Sequence, residues 1–212
     1  MNLVRTETPK TEEDIRSLIV AHAASISGME AADKPIRQDW LDLLGKPPPG
    51  GYWDLDRPFK CWKDAGGNWQ TEGVSTCGLV CLGILRRIGV KLPPLYRPYS
   101  NGTCMTTIQQ CTGWHHAQGA DLPGPGDMLI IGSGLATHVF TIINTDNFPI
   151  ITSVDGGQPG AGNLQAIKTC TRSWAGAGPS LSGRIVLGWI HAGELEFDDS
   201  QPCYAPDNWT ST

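Results

Sequence analysis

Gly73-Val74-Ser75-Thr76-Cys77-Gly78-Leu79 is the stretch on which the reading of this chain turns. It places a cysteine behind small and hydroxyl residues, at the start of a long apolar run. Leu79, Val80, Leu82, Ile84, Leu85 and Ile88 leave little polar face, so the spacing predicts a buried helix. Ser75 or Thr76 can cap its start, Gly89 can close it in a left-handed conformation, and Pro93-Pro94 forbid continuation. A thiol in the first turn meets unpaired backbone N–H groups and the positive end of the helix dipole, which favour the nucleophilic thiolate. The same N–H groups can receive an oxyanion. A buried cysteine acting as a small hydrophobe is the competing reading.

Two segments further on supply partners for a thiol nucleophile. Residues 125–143 read as a turn at Pro125-Gly126-Asp127, a short strand, a glycine-rich hairpin and a second strand carrying His138. Alternation puts His138 on one face with Phe140 and Ile142. Residues 148–158 read as a third strand running into a polar loop. A four-residue loop from Asn144 to Asn147 would set His138 opposite Ser153, with Asp155 as its diagonal neighbour. A carboxylate there would fix the imidazole's tautomer and stabilise its protonated form. A one-residue slip would turn Asp155 away. The alternatives are a structural histidine, and an Asp155 that only makes the Asp-Gly turn. Ser153 and Gln158 are the other candidates for the third position.

The order cysteine helix, histidine strand, polar residue on the next strand resembles the NlpC/P60 branch of papain-like cysteine peptidases and amidases. The resemblance lies in Ser75-Thr76-Cys77-Gly78-Leu79-Val80, in Pro125-Gly126-Asp127-Met128-Leu129 leading to His138-Val139, and in Gly188-Trp189-Ile190. It covers about residues 50 to 192 and lacks the serine that the family commonly has after the cysteine. It implies an α+β papain-like fold with the nucleophile helix on an antiparallel sheet. It implies catalysis by Cys77, His138 and Asp155, with Gln70 or Tyr52 completing an oxyanion hole. It also implies cleavage of amide bonds in the peptide part of bacterial peptidoglycan, with neither metal nor organic cofactor.

The remaining residues frame that domain. Thr11 to Ser27 and Lys34 to Leu44 carry helical periodicity, and Pro47-Pro48-Pro49-Gly50-Gly51 marks a boundary. This divides the chain into an N-terminal helical extension (1–45), a catalytic domain (46–195) and a mobile polar tail (196–212). Strands are expected near 164–169 and 184–190, and residues 52–73 are expected to line core and cleft.

Lys+Arg 16 against Asp+Glu 21, with no basic cluster, argues against a nucleic-acid partner. No run is long and apolar enough to span a membrane, and Met1 to Thr8 lacks a signal-peptide core. Yet there are seven cysteines, and the six besides Cys77 are enough to pair in an oxidising compartment. An antibacterial effector exported by a dedicated secretion system into a target periplasm reconciles these features, and a neutralising partner protein would then be expected. The rivals are a zinc protein using Cys77, Cys81, His115-His116 or Cys61, a non-catalytic binding module, and a cytosolic protein-modifying thiol enzyme. No Cys-x-x-Cys or His-Glu-x-x-His spacing supports zinc.

Overall fold

The computed structural model describes residues 2–47, 49–55, 59–73, 76–93, 106–118, 121–133, 136–160, 165–175 and 180–210. Helix α1 (Glu12–Ile26) starts where the Thr11 hydroxyl accepts the Asp14 N–H at 3.1 Å. Helix α2 (Lys34–Leu44) has proline in its first turn and stops at Gly45, whose φ is +67°. Helix α3 (Thr76–Arg87) carries the cysteine, and ten of its twelve residues besides Arg87 are buried. Its end is a Schellman motif around Gly89 at φ +82°: Gly89 N–H donates to Arg86 O and Val90 N–H to Leu85 O, each at 3.0 Å. Thr76 is the first helical residue, and Ser75 lies outside the described residues.

The fold is α+β, with a closed antiparallel β-barrel. Its six strands are β6 (Met128–Ser133), β7 (Ala136–Asn144), β8 (Ile150–Pro159), β9 (Gln165–Ala175), β10 (Ser180–Leu181) and β11 (Arg184–Ile190). Each pairs with the next, and β10 pairs with β11 to close the ring. Strand β5 (Trp114–His116) adds outside β11. Side chains alternate across these strands. Leu129, Ile131, Phe140, Ile142, Ile151, Leu181, Val186 and Trp189 form one cluster inside the barrel. Met128, Ile130, Val139, Val154, Ile167 and Ile190 point the other way and share a core with α1, α2 and α3. The predicted packing of the cysteine helix on an antiparallel sheet is therefore present.

Helix α1 is clamped to the barrel by a buried ion pair. Arg16 donates to Asp127 Oδ1 and to Pro125 O, both at 2.7 Å, and Asp127 also accepts the Gly124 and Ala192 N–H groups. A Cβ on Gly126, at φ +89°, would stand 2.9 Å from Arg16 Cα. The Pro-Gly-Asp turn thus joins the helical segment to the first barrel strand, as well as launching that strand.

The structure adds one sheet and corrects two expectations. Residues 52–73 form a sheet of β2 (Tyr52–Asp54), β3 (Phe59–Lys63) and β4 (Trp69–Gly73), unread because their polar and aromatic residues mix without clean alternation. The C-terminal segment contains β12 (Cys203–Pro206), which pairs with β1 (Leu3–Thr6) and buries Cys203 and Ala205. Ladder bonds to the other end of the chain order it despite its polar composition. Finally, Cys61, Cys77, Cys81, Cys111, Cys170 and Cys203 are all free thiols, and Cys104 lies outside the described residues.

Candidate active site

The register of β7 and β8 decides which polar groups meet inside the barrel. Ile142 pairs with Ser153 and Thr141 with Val154, and a bulge lies between Ile142 and Asn144. Ser153 therefore faces Ile142 instead of the expected His138, because the connection is longer than four residues and absorbs a bulge. The displacement is four residues, an even number, so every side chain keeps its face. Asp155 remains diagonal to His138, now from the other side.

The two side chains touch. His138 Nε2 donates to Asp155 Oδ2 at 2.6 Å. Asp155 has no exposed surface and accepts three further groups. The Ser153 hydroxyl donates to Oδ1 at 2.6 Å, Arg172 Nη1 to Oδ1 at 3.1 Å, and Arg172 Nη2 to Oδ2. Arg172 Nη1 also donates to Ser153 Oγ at 2.6 Å, and the guanidinium lies over the Phe140 ring, 4.3 Å from its centroid. Burial alone would raise the Asp155 pKa. The hydrogen bonds from His138 and Arg172, the Arg172 charge and the Ser153 hydroxyl outweigh it, and the carboxyl is held below its ordinary value.

Cys77 reaches this network from the opposite side of the sheet. The pairing of β8 with β9 is interrupted between Asp155 and Gln158, which leaves Gly156 and Gly157 in a bulge. There the β8 backbone lies against the first turn of α3. A Cβ on Gly156 would stand 2.7 Å from Thr76 O and 3.1 Å from Cys77 Cα, and one on Gly157 2.6 Å from Thr76 Oγ1. Only glycine allows so close an approach. With Nε2 on Asp155, the imidazole has Nδ1 left for the thiol. Burial lowers the His138 pKa, but the Asp155 hydrogen bond, the Cys77 hydrogen bond and the charges of both partners lift it to about 9. The arrangement favours an imidazolium at neutral pH beside Cys77, which is itself 8% exposed.

The oxyanion candidates lie on the three-stranded sheet. Gln70 is exposed on β4 and its amide donates to Asp64 Oδ2 at 2.8 Å. Tyr52 is half-exposed and packs edge-on against Trp69. The backbone N–H of Cys77 lies at the second position of α3, in the helix's first turn. The zinc candidates are dispersed: Cys81 Sγ is 3.7 Å from Thr141 Oγ1, and His115 Nε2 is 2.9 Å from Glu194 Oε2. Among the described residues no group of three His, Cys, Asp or Glu side chains is placed to hold a metal ion.

Arg172 and the glycine bulge escaped the sequence reading. A charged residue on a strand face that also carries Trp174 was the available signal for Arg172, since an inward arginine requires a buried acid. Gly156 enters the sequence reading only as half of an Asp-Gly turn, and Gly157 is not singled out at all.

Beside His138 the barrel end opens into a cleft of about 570 Å³, which reaches Gly157, Gln158, Arg172, Ser182 and Arg184. Neither a protein-family model, nor a curated protein, nor a solved structure matches this chain significantly.

Proposed function

We propose that this protein is a papain-like cysteine amidase of NlpC/P60 type, acting on the peptide part of bacterial peptidoglycan. The observation that carries the reading is the meeting of Cys77, in the first turn of a buried helix, with an imidazole held by a buried carboxylate. The Cys77 thiolate attacks the amide carbonyl carbon, and the N–H groups of the helix N-terminus receive the developing oxyanion. The His138 imidazolium gives its proton to the departing nitrogen as the C–N bond breaks, leaving a thioester and a neutral imidazole. Water then attacks the thioester, passes a proton to His138 and releases the acid, which restores the ion pair. Asp155 keeps the ring oriented throughout.

The wall substrate rests on the family resemblance, as does the role of antibacterial effector with a neutralising partner protein. Digestion of purified peptidoglycan, with fragments identified by mass spectrometry, tests it: new amine and carboxyl ends are expected, and none with Cys77→Ala. Periplasmic expression should lyse a Gram-negative host while cytosolic expression is tolerated. Equal toxicity from the cytosol would move the reading to a protein-modifying thiol enzyme.

A further inference from the structure

The cleft beside His138 is cationic in a chain whose net charge is −5. Among its described lining residues there is no carboxylate, whereas Arg172 and Arg184 both line it. The two arginines are not equivalent. Arg172 is 14% exposed and committed to Asp155 and Ser153. Arg184 is exposed, and its guanidinium makes no hydrogen bond or ion pair among the described residues.

Arg184 is also held in place by its backbone. It pairs with Leu181 across a two-residue turn, in which Ser182 at φ +49° and Gly183 at φ +78° are both left-handed. That is a type I′ hairpin, the tightest link between antiparallel strands. Leu181 has no exposed surface and anchors the hairpin in the barrel core. A cation at a fixed point on the cleft wall, beside the Ser182 hydroxyl and the Gln158 amide, suits a planar anion. The cleft is lined by His138 and by Gly157, and Gly157 packs against the first turn of α3, where a Cβ would be 3.7 Å from Cys77 N.

We propose that this cleft is a subsite for a free carboxylate of the substrate, read by Arg184, so that the enzyme selects amide bonds flanked by an acidic residue or a free C-terminus. The inference rests on the amidase reading and names the substrate class of that site. Net negative charge repels such a substrate at long range, so the local cation decides its capture.

The test uses matched peptides around the bond found in the wall digest. One pair carries Glu or Gln beside the scissile bond, and another ends in a free or an amidated C-terminus. The wild type should show kcat/KM about tenfold higher for the carboxylate member of one pair, mostly through KM, and the affected pair identifies the source of the carboxylate. In Arg184→Gln the ratio should fall to near one, with Arg184→Lys in between. Cys77→Ala should bind the carboxylate peptide more tightly than its amide by calorimetry, and the Cys77→Ala/Arg184→Gln double variant should not. Hydrolysis without preference overturns the subsite and leaves the amidase intact. Preferential binding without hydrolysis overturns the amidase and leaves the subsite. Unaltered preference in a folded Arg184→Gln assigns the discrimination elsewhere and overturns the role of this residue.

Discussion

Asp155 and His138 meet at 2.6 Å inside the barrel, two residues out of direct register, and Arg172 bonds both oxygens of the same carboxylate. The carboxylate is shared between a permanent cation and a titrating one. Arg172 keeps it ionised when His138 is neutral, so the hydrogen-bond acceptor persists through a proton-transfer cycle. The network also links the His138 ring to the barrel core, because Arg172 stacks on Phe140.

Removal of Arg172 should therefore cost stability as well as rate. Arg172→Met leaves Asp155 buried with fewer donors, and breaking one side of a buried pair costs about 3–5 kcal/mol. Urea unfolding should show that loss near neutral pH. If the variant folds, the His138 titration should move down, since a carboxyl that ionises less readily supports an imidazolium less well. An unchanged histidine titration by NMR would show that Arg172 is structural only.

The contact of His138 with Asp155 was legible because it depends on parity. Strand alternation put both on one face, and the four-residue error in register left that unchanged. The cysteine helix was legible because its composition, cap and stop signals agree. Arg172 was not, since its partner sits across a strand pair whose register the chain does not announce. Gln70 makes a local contact that its own residue type did not announce: the Asp64 carboxylate accepts its amide at 2.8 Å. The pairing of β1 with β12 joins the two ends of the chain, and no local pattern encodes a contact at that separation.

Cys77→Ala should abolish hydrolysis and leave the thermal unfolding midpoint within a few degrees of wild type. Cys81→Ala, one turn along the helix and facing Thr141, should keep activity within about threefold, the range expected for a small packing change away from the reacting atoms. Initial rates and scanning calorimetry on both variants check this. Loss of activity in Cys81→Ala with an intact fold would point to a second essential sulfur.

The pH profile should have its alkaline limb near 9, where His138 loses its proton. The folded-state pKa is raised from the ordinary 6.5, so the stability it contributes is complete below pH 6.5 and is lost as pH rises through about 9. In Asp155→Asn the hydrogen bond weakens and the charge disappears, and the limb should move toward neutrality. Rates of Cys77 alkylation by iodoacetamide across pH follow the same pair without requiring a substrate.

His22 predicts the opposite behaviour in acid. It is fully buried in α1, with Nε2 2.7 Å from Tyr204 O. Burial is the main influence and holds its pKa down to about 4 from 6.5, against the hydrogen bond to Tyr204 and with help from the Arg87 charge. The unfolded chain takes up the proton first. This stability is complete above pH 6.5 and is lost as pH falls toward 4, by about 3 kcal/mol in all. Urea unfolding of wild type and His22→Gln across that range should show a shallower fall in the variant. Parallel curves would mean that His22 does not drive acid unfolding.

Gly156→Ala tests the contact between α3 and β8 beside Cys77 and, with it, the proposed thiol–imidazole pair. The added methyl would start 2.7 Å from Thr76 O and from Val80 Cγ2, and 3.1 Å from Cys77 Cα. Val80 can rotate, but the helix backbone cannot yield without moving Cys77. Parting α3 from β8 by a fraction of an ångström lengthens the Cys77–His138 hydrogen bond while leaving both residues chemically intact. The variant should lose about a hundredfold in kcat, the scale of a misplaced catalytic geometry. Iodoacetamide alkylation of Cys77 at neutral pH should slow with it, because the thiolate loses its imidazolium partner. Gly157→Ala should act more mildly on position, since its nearest obstacle is the Thr76 side chain, but its φ of +72° adds strain. Wild-type alkylation and turnover in a folded Gly156→Ala would show that the sheet does not set the distance between thiol and imidazole.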